Sequence, residues 1–177
     1  MHQFRNLALA AAAAVASGPA FAATQGTLGP TSTGSLNITA TIPALVQISA
    51  LDDIALGTFS GAAMSGGDDV CVFSNTGGYS VTASGDGAGG AFELTGATAA
   101  EPLPYGVQWA TTAGATSGTA LTPGTALTGL VGTFTNPSCQ AGAALNARVL
   151  VAVTADDLGV VSADTYTGTL TLTVEPQ

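Results

Sequence analysis

Polar and apolar residues alternate without a break through Asp164-Thr165-Tyr166-Thr167-Gly168-Thr169-Leu170-Thr171-Leu172-Thr173-Val174. Successive strand side chains point to opposite faces of a sheet, so Tyr166, Gly168, Leu170, Leu172 and Val174 fall on one face and the threonines on the other. The same period recurs at 34–42, where Gly34, Leu36, Ile38, Ala40 and Ile42 alternate with Ser35, Asn37, Thr39 and Thr41. Between these two runs the pattern predicts strands near 45–48, 54–59, 70–73, 79–83, 91–94, 103–109, 127–134 and 146–153, separated by Gly, Pro, Asn and Asp turn signals. In the 103–109 run, Leu103, Tyr105, Val107 and Trp109 share a face, and the two aromatics are expected to anchor a core rather than bind a ligand. Outside the first 22 residues no stretch carries a sustained apolar stripe of helical period, and Gly142-Ala143-Ala144-Leu145 is a weak helix start beside the strand that follows it. Short strands at this spacing predict an all-β chain, an antiparallel β-sandwich of immunoglobulin-like type.

Residues 1–22 have a different character. His2 and Arg5 precede an apolar run at 7–16 that is too short to span a bilayer, and Ala20-Phe21-Ala22 is a small-x-small cleavage site. A secretory signal peptide is therefore expected at 1–22, followed by a leader and alternating segment at 23–42 and a sandwich domain at 43–177. No later stretch is long and apolar enough for a membrane helix, so the exported product is not expected to insert in a membrane.

Loss of 1–22 would leave Arg148 as the sole basic side chain against 11 acidic ones, with no lysine and no histidine. A surface of that sign repels phosphate backbones and argues against nucleic acid as a partner. Without lysine, neither sortase-type polymerisation nor internal isopeptide bonds are available. Without histidine, and without a Gly-x-Ser-x-Gly motif, triad, Ser-Lys and histidine-zinc chemistries lack their parts. A two-carboxylate glycosidase remains formally possible, but the acids fall in turn-like pairs, Asp52-Asp53, Asp68-Asp69 and Asp156-Asp157, where aspartate serves turn chemistry. Calcium at these pairs is a weaker reading than solvated turns, since no Asp-x-Asp-x-Asp-Gly loop is present. No enzyme activity, metal or cofactor is expected. The two cysteines, Cys71 and Cys139, have no metal-site partners and are expected to form one disulfide, worth about 4 kcal/mol for so long a loop. A reactive thiol is the weaker alternative, because neither has a cation nearby in sequence. The Asn37-Ile38-Thr39 sequon lies inside an expected strand and is read as incidental.

Cys71, Gly77-Gly78-Tyr79-Ser80-Val81, Leu103-Pro104-Tyr105 and the run from Tyr166 to Val174 together resemble the spore coat protein U group, which includes the subunits of archaic chaperone-usher pili. Thr33-Gly34-Ser35-Leu36-Asn37-Ile38 is similar to the N-terminal donor strand of those subunits. The chain differs from them in lacking a cysteine within 43–48 and in carrying a longer leader at 23–32. The resemblance implies a sandwich short of one strand, completed by the donor strand of another copy or a related subunit. Leu36, Ile38, Ala40 and Ile42 would then be the inserted side chains, Gly34 would lie where none fits, and Leu170, Leu172 and Val174 would line the acceptor groove. Three branched side chains at about 2 kcal/mol each would supply about 6 kcal/mol before ordering costs. The resemblance further implies a periplasmic chaperone, an outer-membrane usher and a surface fimbria or coat with a part in adhesion and biofilm. A self-contained adhesive or carbohydrate-binding sandwich, with 36–42 as its own first strand, is the competing expectation.

Overall fold

The computed structural model describes residues 22–99, 101–135 and 144–177. The chain divides into two compact units, Met1–Ile42 and Pro43–Gln177. Nearly all of the expected signal peptide, together with Cys139, lies outside the described residues.

In the first unit the only paired backbone among the described residues is an antiparallel bridge between Thr24 and Ser35. The Thr24 N–H donates to the Ser35 carbonyl at 2.8 Å, and the Ser35 N–H donates to the Thr24 carbonyl at 3.0 Å. The strand expected over 34–42 is not formed: residues 36–42 carry no regular secondary structure. Alternation marks a face able to be buried, whereas a strand also needs a partner for its backbone groups.

The second unit is all-β and its ladders are antiparallel, as the alternating runs predicted. Its elements are β1 (Val46–Ser49), β2 (Met64–Ser74), β3 (Gly78–Ser84), β4 (Glu93–Gly96), β5 (Pro102–Pro104), β6 (Gly106–Ala110), β7 (Thr119–Ala120), β8 (Ala126–Val131), β9 (Ala147–Val153), the single-turn helix α1 (Ala155–Leu158), β10 (Tyr166–Thr167) and β11 (Thr171–Pro176). They form a five-stranded sheet in the order β1-β2-β9-β6-β7 and two three-stranded sheets, β11-β3-β8 and β10-β4-β5. Just past β8, Thr133 makes a parallel bridge to Phe73 of β2. That bridge carries the end of the β8 run onto the larger sheet.

The core follows the period-2 faces. Ala147, Val149, Val151 and Val153 of β9 are buried, as are Val107 and Trp109 of β6, Val70 and Val72 of β2, and Tyr79, Val81 and Ala83 of β3. Trp109 of β6 and Tyr79 of β3 join the five-stranded sheet to the β11-β3-β8 sheet. Their rings meet edge to face with centroids 6.4 Å apart, and the Trp109 Nε1–H donates to the Tyr79 hydroxyl at 3.1 Å. Burial raises the Tyr79 phenol above its ordinary pKa, which keeps the hydroxyl neutral. Phe92, just ahead of β4, and Tyr105, between β5 and β6, stack with ring centroids 5.6 Å apart. The expected aromatic anchors, Tyr105 and Trp109, are thus both core residues.

Several expected elements take other forms. Residues 54–59 form no strand, although Ile54 and Leu56 still pack half-buried against the core. The 103–109 run bends at Tyr105, and its halves, β5 and β6, join different sheets. Asp68 and Asp69 sit inside β2 rather than in a turn, with Asp69 directly opposite Arg148 of β9. The Arg148 guanidinium meets the Asp69 carboxylate at 2.9 Å. A Cβ on Gly67 would stand 2.8 Å from Arg148 Nε, so only glycine leaves the guanidinium its place across the strand. Asp156 and Asp157 occupy the first turn of α1, where the Asp157 N–H donates to the Thr154 hydroxyl at 3.1 Å, an N-cap that had no counterpart in the strand pattern. Cys71 is buried in β2 and disulfide-bonded.

Replacing Tyr79 by Phe would strand the buried Trp109 N–H without an acceptor, which costs about 1–3 kcal/mol. Since Trp109 is the chain's one tryptophan, its fluorescence through a urea titration reads this directly. The Tyr79→Phe midpoint should fall while the slope stays unchanged; an unshifted midpoint would mean that the bond contributes nothing.

Candidate functional site

β11 is an edge strand, and six consecutive residues, Thr171 to Pro176, hold an unbroken register against β3. The Gln177 N–H donates to the Gly78 carbonyl at 3.0 Å. Backbone groups alternate in direction along a strand, so Thr173 and Glu175 also point at β3, while Leu172, Val174 and Pro176 point at the open side. No described residue forms a ladder there.

β1 has the complementary geometry. It pairs with β2 alone, in register from Val46 opposite Ser74 to Ser49 opposite Cys71. The Asn75 N–H donates to the Leu45 carbonyl at 3.0 Å. The odd-numbered residues therefore face β2, and the backbone groups of Val46 and Ile48 face away from it. β1 and β11 touch across the two sheets without sharing a ladder. Their inward side chains, Val46 and Ile48 on one strand and Leu172 and Val174 on the other, pack on the core but are only half-buried. Among the described residues, the outward backbone groups of both strands are unpaired, over an apolar floor.

The other edges are blunted. β7 has only two residues. β8 meets β3 through a register shift between Tyr79 and Val81, and Gly129 takes a left-handed φ of 74° within it. Bulges and short edges discourage the addition of a further strand. Another concavity, of about 580 Å³, is lined by Thr111, Asn146 and residues 129–133, and contains no ionisable group.

The expected acceptor residues are brought together here. Leu172 and Val174 lie in β11, and Leu170 packs half-buried just ahead of it. Val46 and Ile48 were not assigned to the groove from the sequence. Their short apolar-polar-apolar pattern was the available signal, but it does not say which edge they line. The expected donor residues belong to the other unit. There Leu36, Ile38 and Ile42 are 69 %, 89 % and 81 % exposed, and Ala40 is exposed as well. A Cβ on Gly34 would come 3.0 Å from the Thr24 carbonyl, so the leader's close approach already accounts for that glycine.

Carboxylates hold the chain that leads into β11. Asp164 Oδ2 accepts from the N–H groups of Thr98 at 2.6 Å and Ala99 at 2.7 Å, and Oδ1 from that of Thr165 at 2.8 Å. These bonds favour the charged form and hold its pKa at about 2 against an ordinary 3.8. Asp86 accepts from the Thr169 N–H at 3.0 Å. Between them a Cβ on Gly168 would stand 3.0 Å from both Asp86 Oδ1 and Leu94 Cδ2. Here the terminal alternation breaks: β10 pairs with β4, and β11 with β3. Because the folded pKa is depressed, the Asp164 contribution is complete above the ordinary value and fades as pH falls toward 2. Asp164→Asn places an amide among three N–H donors, so it should melt below the wild type at pH 6. The gap should close between pH 4 and pH 2, and thermal melts across that range would refute the anchor if the gap stayed constant.

No family model matches the chain, and no curated protein matches it.

Proposed function

We propose that this chain is an exported structural subunit of a surface fimbria or coat, in which residues 34–42 of one copy fill the β1/β11 seam of another. The observation that supports this most directly is the pairing of two regular, unblunted edges over a half-buried apolar floor. Because β1 and β11 touch directly and a strand paired on both sides needs about 10 Å between its neighbours, the donor has to part them. Once between them it satisfies the outward backbone groups of Val46, Ile48, Leu172 and Val174, and places Leu36, Ile38, Ala40 and Ile42 on the floor. Backbone bonds supply affinity and alternate side chains supply selectivity, the logic of strand addition. Head-to-tail donation does not close on itself, so it grows a filament. An open seam of this kind is an aggregation hazard before assembly, which is the physical reason for a periplasmic chaperone to cover it and an outer-membrane usher to exchange the cover for a subunit.

The donor side chains are exposed in the single chain, so they can be altered without touching the core. Changing Leu36 and Ile38 together to Glu removes two inserted side chains worth about 4 kcal/mol, roughly a thousand-fold in the association constant. The double variant should melt like the wild type yet give no ladder on an unboiled, non-reducing gel. Mixed with wild type in small amounts, it should shorten filaments seen by electron microscopy, since it can accept a strand but cannot pass one on. Filaments of unchanged length and abundance, or a wild type that never forms a ladder in its own host, would refute the proposal.

A further inference from the structure

We infer that the Thr24–Ser35 bridge is a register stop, which makes Leu36 the first side chain able to enter a neighbouring copy's seam. The inference rests on the donor-strand reading above and adds what sets the register of insertion. A period-2 strand fixes which face is buried but not the register along it, because a slip of two residues leaves every side chain on its own face. Residues 34–42 are open to such a slip, since Gly34 continues the pattern ahead of Leu36.

The bridge removes that freedom through the backbone. Ser35 commits both its N–H and its carbonyl to Thr24, at 3.0 and 2.8 Å. Along an extended strand, Asn37, Thr39 and Thr41 direct their backbone groups to the same side as Ser35, and Leu36, Ile38, Ala40 and Ile42 to the other. A strand inserted between β1 and β11 must pair on both sides. On the Ser35 side Thr24 already stands where the edge strand would have to be, so that ladder can begin no earlier than Asn37. The loop behind the bridge is closely folded and cannot thread into the seam as a single strand. Gly26 lies against Ser32, where a Cβ would meet the Ser32 Oγ. Gly34 passes the Thr24 carbonyl closely enough that its side-chain position is taken by the leader. The longer leader and the glycine at the head of the alternating run thus have one common explanation.

Cysteine cross-linking in assembled full-length protein tests this. Ser35, Asn37, Thr39 and Thr41 are each changed to Cys in turn, together with Thr173→Cys on the outer face of β11, and oxidised mildly after assembly. With the leader intact, one donor position should dominate the inter-subunit product. In two further backgrounds, Thr24→Pro, which removes the N–H given to Ser35, and deletion of residues 23–33, a second product should rise. It should lie two residues nearer the N-terminus and grow from trace to a yield comparable with the first. The same single position dominating in all three backgrounds would overturn the register stop and leave strand donation standing. No inter-subunit cross-link in any background would overturn both.

Discussion

A strand carries hydrogen-bonding groups on both sides, and the edge strands β1 and β11 use only one. β11 is tied to β3, β1 is tied to β2, and the two touch without exchanging a backbone bond. The fully buried side chains include Trp109, Tyr79, Val70, Val72, Val81, Val107 and Val153. Val72 stands opposite Ile48 and Val81 opposite Val174, so the closed core runs up to the seam floor, and the Trp109–Tyr79 contact ties the five-stranded sheet to the β11-β3-β8 sheet from within. The remaining edges are short or bulged, so further pairing is directed to one place. Pro176 adds a limit of its own: it points outward on β11 and has no N–H, so a ladder built on that edge has a natural end there.

Charge is handled in an unusual way because cations are so scarce. Arg148 forms an ion pair with Asp69, yet the larger influence holding the Asp69 pKa down is the Gly114 N–H, which donates to it at 2.7 Å. Asp164 relies on three N–H donors, Asp86 on that of Thr169, and Asp68 on that of Asp52 at 2.8 Å. Backbone amides thus do the work that lysine and arginine do elsewhere. Direct hydrogen bonds of this kind are short-ranged and little screened by salt, whereas protonation removes their charge-assisted part. Such a fold is sensitive to strong acid and tolerant of ionic strength. Of the three aspartate pairs expected to serve turns, Asp68 and Asp69 instead have their carboxylates engaged across strands and loops.

The sequence was most legible where a buried face and a ladder coincide. Strands were rightly expected near 79–83 and 146–153, the alternation of 103–109 predicted the right face, and Tyr105 and Trp109 are where the pattern put them. It failed where one of these conditions is missing. Ile54 and Leu56 bury their side chains without a ladder, so an apolar rhythm was read as a strand. The terminal run keeps its rhythm straight through a change of sheet at Gly168, because the rhythm records facing and not partners. Asp68 and Asp69 looked like a turn because the residue that accommodates them, Arg148, lies 79 positions away for Asp69. One wall of the seam was readable in Leu172 and Val174, while Val46 and Ile48 become a wall only through topology.

The segment 34–42 is the extreme instance of that division. It has the side-chain rhythm of a good strand and, among the described residues, no ladder of its own beyond Ser35. Leaving Leu36, Ile38 and Ile42 in water forfeits the transfer free energy that their burial would return, about 25 cal/mol for each Å², and β-branched residues gain little from an extended conformation without cross-strand neighbours. The seam has the opposite deficit, with an apolar floor and backbone groups but no side chains to cover them. Each deficit is the complement of the other in face, period and backbone demand. In the strand donation proposed above, a free donor could approach in more than one register, a requirement that an intramolecular strand would not face; the backbone bonds between Ser35 and Thr24 are the feature we propose to meet it.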